Sequence, residues 1–475
     1  MGALQEVPVA SFSTERFRSL LGPSFEQVEE AIATGRKLLA GRVIWHVNST
    51  ARGGGVAELL QSLLAYARGA GVDVRWLTIS GNQDFFRITK RLHNRLHESP
   101  GDGGALGPLE RTIYESALAE AGAELMQLVQ PGDIVYIHDP QPAGLIPQIE
   151  TDVLDTIWRC HVGVDRPGEL AREAWDFLRP DIAEANAYVF SRKDFVWSGL
   201  DEQRIWIVPP SIDPFSPKNQ DLPAKAVEAI VGVIGIQEGG RPGDAMFERF
   251  DGSPARVTRP AEIDQDGPVP ADAPVLCQVS RWDRLKDPVG VLRCFTEHMR
   301  STDAHLLLVG PSVAGVADDP EGAEVLSEVR AHRQAIAEEH RGRVHLVSLP
   351  TDDVEENAAM VNAVQRRSDV ILQKSVAEGF GLTVAEGMWK AKPMVASAVG
   401  GIQDQIEDGV SGVLLPDPTD LEAAARAIDG LLEDPSEARR MGEAARQRVL
   451  ERFLGTRSLT QYLDLIKGLL AGEHA

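Results

Sequence analysis

Apolar residues along this chain fall into two alternating rhythms. Runs such as Arg42-Val-Ile-Trp-His-Val47 and Asp133-Ile-Val-Tyr-Ile-His138 are short and nearly continuous in apolar character, as strands buried on both faces are. Longer stretches such as Arg111 to Leu128 space their apolar residues as a helix does. In the first half, further strands are predicted over Val74–Ile79, Thr156–His161, Ala187–Phe190 and Arg204–Val208, with a helix starting at Val56. Pro209-Pro-Ser-Ile-Asp-Pro-Phe-Ser-Pro217 then interrupts everything, because proline supplies no N–H to a helix or a ladder. It reads as a crossing between domains.

The second half restarts the rhythm. Strands are predicted over Val275–Val279, Ala304–Val309, Val344–Val347, Asp369–Gln373, Met394–Ser397 and Gly412–Leu415. Leu382 to Ala391 reads as a helix stopped by Pro393, and Leu421–Leu432 and Ser436–Phe453 follow by periodicity. Arg457 to Leu470 is amphipathic and is expected to pack back on the first half. The stretch from Gln237 to Ala273, rich in Gly, Pro and Asp, reads as an irregular excursion. Strand–helix alternation implies an α/β class with parallel sheets. At 475 residues the chain exceeds one ordinary core. Residues 1–210 form the expected first domain and 211–454 the second, with a last helix, about 455–475, rejoining the first.

Charge narrows the function. A net charge of −23 argues against a nucleic-acid partner and against an anionic membrane surface. No apolar run approaches the roughly 20 residues of a membrane span. Three scattered cysteines imply neither a disulfide framework nor a zinc site. The N-terminus lacks a secretory pattern, and the protein is read as cytoplasmic. In so acidic a chain, isolated Arg and Lys on strand-end loops become the candidates for holding phosphate.

The candidate chemistry sits on those loops. Glu378 and Glu386 have seven residues between them, including the turn Gly379-Phe-Gly381. Glu378 follows a predicted strand, and Glu386 lies about one turn inside the next helix, whose first N–H groups favour an anion. Arg281 and Lys286 stand in the loop after another strand and can converge on a diphosphate. Asn48 to Glu58 carries the run Gly53-Gly54-Gly55, which lets a ligand approach the backbone. It matches neither the Walker loop nor the dinucleotide fingerprint. His161 ends a strand, and so does His138-Asp-Pro-Gln-Pro142, where Asp139 can accept from a sugar hydroxyl. Each pattern also has a plain structural reading: solvated glutamates, a solvated charged loop, a tight turn, a structural histidine, an Asp that caps a turn. What joins them is placement, since all lie after predicted strands and are split between two α/β halves.

With these residues in hand, the chain resembles the retaining glycosyltransferases of the GT-B fold in family GT4. Glu378 and Glu386 match that group's paired-glutamate motif, and Arg281 with Lys286 matches its basic pair. Ile44–Thr50 with Gly53–Glu58, Ile137–Ala143, Pro209–Pro214 and Gln365–Thr383 are similar to the trehalose glycosyltransferring synthases, over about residues 40–470. The resemblance implies two Rossmann-like domains facing across a deep cleft. It implies glucose transfer from a nucleoside-diphosphate glucose (ADP, UDP or GDP) to glucose, giving α,α-trehalose with retention.

On that resemblance Arg281, Lys286, Glu378 and His161 are the catalytic candidates. The donor would contact Gly54, Gly55, Arg281, Lys286, Glu378, Gly379, Phe380, Gly381, Leu382 and Glu386, with the base near Val347–Leu349. Asn48, Asp139 and Gln141 would bind the acceptor. No tightly bound cofactor is implied. With no Asp-x-Asp motif between strands, a divalent metal is not required. The partners are NDP-glucose and glucose or trehalose, and a homodimer is compatible with this reading. One departure is visible: the family's Asp stands close behind its His, whereas here Gly163 intervenes and Asp165 lies further on. The alternatives are a trehalose phosphorylase, a related transferase with another acceptor, and a non-catalytic nucleotide-sugar sensor.

Overall fold

The computed structural model describes residues 2–51, 54–149, 155–300, 303–313 and 320–471. The chain divides into two compact units, Met1–Ser211 with Phe453–Ala475, and Ile212–Arg452.

The first unit holds a seven-stranded sheet. Its strands are β1 (Leu4–Val7), β2 (Val43–Asn48), β3 (Asp73–Ile79), β4 (Ile134–His138), β5 (Asp155–Cys160), β6 (Ala187–Phe190) and β7 (Ile205–Ile207). The order is β1-β3-β2-β4-β5-β6-β7, parallel except for β1 against β3. The predicted strands are present within a residue or so at either end. The sequence reading missed β1, an edge strand paired from Leu4↔Ile79 to Val7↔Trp76. Alternate strand residues face opposite cores, as the pleat requires. Val135, Ile137 and Trp158 point to one cluster with the helices Gln83–Leu96, Pro108–Leu128 and Glu169–Ile182. Ile44, Ile134, Tyr136 and Ile157 point to the other, with Leu60 and Leu64 of the helix Gly55–Gly69 and Leu465 and Ile466 of the helix Gly455–Ala471. The terminal helix therefore fills one face of this sheet.

The second unit has two short hairpin strands, β8 (Met246–Glu248) and β9 (Pro254–Arg256), and a second seven-stranded sheet. The latter contains β10 (Glu262–Asp264), β11 (Val275–Val279), β12 (His305–Pro311), β13 (Val344–Leu349), β14 (Val370–Gln373), β15 (Met394–Ser397) and β16 (Val413–Leu415). Its order is β10-β13-β12-β11-β14-β15-β16, again with one antiparallel edge, β10 on β13. The Gln237–Ala273 stretch is thus not wholly irregular. It supplies the hairpin and an edge strand that covers β13 through the register Glu262↔Ser348, Ile263↔Val347 and Asp264↔Leu346. Short, charged edge strands leave little template for further pairing.

Each sheet reverses strand order once, between β2 and β4 in the first unit and between β11 and β14 in the second. Loops leaving the carboxyl ends of such neighbours diverge and leave a crevice, which is where open α/β sheets take ligands.

Candidate active site

In the second unit, the loops after β11 and β14 flank the reversal point and are tied together. The Val376 amide donates to the Leu285 carbonyl at 2.8 Å. Gln278 Nε2 donates to the Lys286 carbonyl at 2.9 Å. Buried Lys374 pairs with Asp287 and donates to the Pro418 carbonyl at 2.6 Å. Asp287 also caps the helix Pro288–Arg293 through the Gly290 amide. These bonds place Lys286 against Glu378, with Nζ 2.6 Å from Oε2. Their side chains are 15% and 11% exposed, so water screens their attraction poorly and removing either leaves a costly lone charge. Ser375 Oγ donates to the same oxygen at 3.3 Å. Arg281 stands apart, 50% exposed and paired with Asp283 at 3.0 Å.

The glycine turn follows. Gly381 takes φ +82°, the left-handed conformation glycine adopts most easily, and starts the helix Leu382–Trp389. Gly379 and Leu382 are partly exposed, and Phe380 is buried. The turn is backed by residues the sequence reading passed over. Gly400 lies so close that a Cβ there would stand 1.8 Å from the Glu378 carbonyl oxygen. The Gly401 amide donates to the Gly379 carbonyl at 2.8 Å. Gln405 Nε2 donates to the Phe380 carbonyl and, at 3.3 Å, to that of Gly381. The signal available was the Gly400-Gly401 pair, separated by two residues from the predicted strand Met394–Ser397.

Glu386 is buried one turn further on. Lys218 approaches its Oε1 at 3.5 Å, and its Oε2 has no hydrogen-bond partner among the described residues. An unmet buried carboxylate oxygen costs about 1–3 kcal/mol or more, which a ligand hydroxyl can recover. Lys390, also buried, lies on the next turn and donates to the Glu386 carbonyl and to Asn219 Oδ1. Burial pulls its pKa well down, against the opposing pull of Glu386. Lys218 and Asn219 were missed because they follow the proline-rich crossing, far from the motif they meet.

The first unit builds a different kind of site. Gly54, at φ +82°, precedes the helix Gly55–Gly69, and both glycines are exposed; Gly53 lies outside the described residues. Asn48 is buried and committed to this loop, with Nδ2 donating to the Thr50 carbonyl at 2.7 Å and Oδ1 accepting from Trp76 Nε1 at 2.8 Å. Asp139 also takes a left-handed backbone, φ +65°. Its Oδ1 accepts the His161 backbone N–H at 2.7 Å. Burial pushes the Asp139 carboxyl up to about 7, against the pulls of that N–H and of Arg159. Gln141 is partly exposed in the turn that follows.

His161 is not alone. Its Nε2 lies 3.2 Å from His138 Nδ1, and His138 Nε2 lies 3.0 Å from His46 Nδ1. Burial pushes the His46 imidazole down to about 3 and holds the other two well below their usual value. Arg159, fully buried beside them, donates from Nη2 to the Val208 carbonyl at 2.6 Å, while its Nε and Nη1 have no partner among the described residues. Gly163, the departure noted in the sequence, has a packing cause: a Cβ there would meet the Phe195 ring at 2.3 Å. Asp165 pairs instead with Arg192 at 2.5 Å.

Residues 46–197 match the trehalose synthase N-terminal domain, and residues 261–448 match glycosyl transferases group 1. A trehalose synthase of Thermococcus litoralis is 36% identical over 455 residues, spanning 95% of this chain and 96% of its own. The chain belongs to the trehalose synthase family. Family membership makes it a hexosyltransferase of trehalose-related glycosyl transfer. A trehalose phosphorylase of Pleurotus pulmonarius is more distant, 27% identical over 428 residues, spanning 85% of this chain and 54% of its own. The fold is GT-B. A UDP-forming α,α-trehalose-phosphate synthase from Burkholderia xenovorans, solved with glucose-6-phosphate, superposes with a TM-score of 0.64 at 16% identity, covering 90% of this chain and 100% of that one. Among the described residues, no helix is long and apolar enough to cross a membrane, and no group of His, Cys, Asp and Glu is arranged to hold a metal ion.

Proposed function

We propose that the chain transfers glucose from a nucleoside-diphosphate glucose to free glucose, giving α,α-trehalose with retention, in a reversible reaction. The observation that carries this reading is the Lys286–Glu378 pair, in which a cation suited to phosphate and a carboxylate suited to sugar hydroxyls share one place, 2.6 Å apart. Glu378, with the amides of Gly379, Phe380 and Gly381, holds the donor glucose. Lys286 and Arg281 hold the diphosphate, where negative charge grows as the glycosidic bond breaks. Glu386 takes the ribose diol on its unmet Oε2, which requires the Lys218 side chain to yield. Leu382 packs beside the donor, and Gly54 and Gly55 lie against its diphosphate.

On the first unit, Asp139 and Gln141 bind the acceptor glucose, Asn48 shapes the loop, and His161 contacts the donor sugar. In the step itself, the acceptor's anomeric hydroxyl oxygen attacks C1 of the donor on the face the diphosphate is leaving. The C1–O bond to phosphate breaks, and the departing phosphate oxygen takes the hydroxyl proton. No enzymic carboxylate becomes bonded to the sugar, unlike the arrangement of retaining glycosidases.

A matrix of ADP-, UDP- and GDP-glucose against glucose, glucose 6-phosphate and small polyols, with the product's anomeric configuration read by NMR, tests this. Nucleoside diphosphate released together with α,α-trehalose is the expected result. The match to a trehalose phosphorylase supports a second reading, in which trehalose forms only from glucose 1-phosphate with release of inorganic phosphate; that outcome replaces the first.

A further inference from the structure

His46, His138 and His161 stand on or just after the adjacent strands β2, β4 and β5, on the sheet face covered by the helix Gly455–Ala471. Neighbouring rings are 5.3 and 5.5 Å apart between centroids and tilted by 24° and 16°. The nitrogens between them face at 3.0 and 3.2 Å. Tyr136 stacks on His46 at 4.8 Å, and Tyr462 of the terminal helix meets Tyr136 edge-on. The ladder therefore runs from the core beneath the terminal helix to the strand-end loop at His161, a residue of intermediate exposure.

A neutral imidazole has one N–H and one lone pair, so a hydrogen bond between two rings needs a donor facing an acceptor. Burial lowers the pKa of all three rings, and the Arg159 guanidinium adds to this at His138 and His161, which favours the neutral form of each. Two arrangements satisfy both contacts. In one, every ring carries its proton on Nδ1; in the other, every ring carries it on Nε2. No single ring can change without the others. The inner end selects between them. His46 lines a largely apolar cavity with Ile44, Leu63, Val74 and Ile466, and among the described residues none of the hydroxyls that also line it, on Thr456, Thr460 and Tyr462, is hydrogen-bonded to His46. The Nε2 arrangement turns an N–H into that apolar wall, whereas the Nδ1 arrangement turns only a lone pair there, the cheaper group to leave unmet.

We infer that His46 and His138 are positioning residues that lock His161 in the Nδ1–H tautomer, so that its outer nitrogen is a hydrogen-bond donor toward the substrate. This rests on the proposed role of His161 at the sugar. It assigns work to two histidines that touch no substrate. The chain is a conduit for tautomer identity, carried through imidazoles with no change in net charge.

The test is heteronuclear NMR of histidine-labelled, ligand-free full-length protein, which reads which ring nitrogen bears the proton. All three rings in the Nδ1–H form, the minor form of histidine free in water, is the expected result. His161 in the Nε2–H form overturns the inference. Because no substrate is present, this outcome is independent of whether the glucosyl-transfer reading holds.

A pair of variants gives the second arm. His46→Phe keeps a stacked ring but removes the donor, whereas His46→Asn places an amide N–H where Nδ1 stood. Turnover is expected to fall about tenfold in His46→Phe, with the nucleotide-sugar KM little changed, and to return to within about twofold in His46→Asn. His161 should leave the Nδ1–H form in the first variant and regain it in the second. A packing role predicts the reverse order, because phenylalanine preserves the ring volume better. That order, or equal effects of both variants, overturns the inference.

Discussion

The two units share a sheet plan but differ in the polar groups they place beside the reversal point. The second unit gathers full charges and pairs them: Lys286 with Glu378, Lys374 with Asp287, Lys218 with Glu386. The first relies mainly on a ladder of imidazoles whose pKa values burial lowers and a carboxyl whose pKa burial raises to about 7, with Arg159 as the buried cation beside them. The contrast suits the partners proposed for each. A diphosphate needs fixed cations, while sugar hydroxyls need donors and acceptors of no net charge.

A second histidine pair sharpens the point. In the second unit, His305 Nδ1 faces His345 Nε2 at 2.9 Å, and His345 Nδ1 faces Gln265 Oε1 at 3.0 Å. Gln265 is oriented by its Nε2, which donates to the Gly235 carbonyl at 3.0 Å. Its oxygen must therefore accept, and both imidazoles are pinned as Nδ1–H. The first unit's ladder ends in a largely apolar wall instead of an amide, so its sense is set by the cost of burying an N–H there and not by an acceptor.

The sharpest way to break this comparison is to remove a charge. Lys286→Ala should lower turnover roughly 100- to 1,000-fold with modest change in nucleotide affinity, as loss of a transition-state contact does. Steady-state kinetics beside calorimetric nucleotide titration separates the two, and an equal loss in both would assign Lys286 to ground-state binding. Next comes the backing of the donor loop. Gly400→Ala, at φ +52° and against the Glu378 carbonyl, should cost about 2–4 kcal/mol in denaturant unfolding and weaken nucleotide-sugar binding as the loop shifts. An unchanged unfolding midpoint would show that the loop yields freely.

Asp139→Asn probes the neutral side. Asparagine tolerates the left-handed backbone, so the exchange isolates titration. A carboxyl raised from 3.8 to about 7 on folding contributes stability that is complete below pH 3.8 and is lost as pH rises through about 7. Wild type should therefore lose about 3 kcal/mol relative to the variant between about pH 4 and 7. Parallel pH profiles would mean that the carboxyl is not raised. The smallest effect is on the ribose side: Glu386→Ala should weaken nucleotide binding about tenfold while leaving turnover at saturation within about threefold.

The α/β alternation was legible because buried parallel strands demand unbroken apolar runs, and β2, β4, β11 and β14 have them. β1 was not, since Leu4-Gln-Glu-Val7 has no pattern of its own and becomes a strand only by pairing with β3. β10 was hidden for the same reason among Gly, Pro and Asp residues. The loops carrying Lys286 and Glu378 could be recognised one by one, but their contact joins residues 92 apart. Gly400, Gln405 and Lys218 act through contacts made only once the chain is folded. The histidine ladder joins His46 to His138 across 92 positions and His138 to His161 across 23, through strand adjacency that no local pattern encodes.

The return of the helix Gly455–Ala471 to the first sheet has a consequence for synthesis. Ile212–Arg452 must be made before Leu465 and Ile466 can cover Tyr136 and Ile157. At about 5–20 residues per second, that leaves the apolar face open on the ribosome for roughly 10–50 s. The half translated first is thus the half completed last, and a nascent chain stalled before its final helix presents a greasy, strand-backed surface that a chaperone can hold.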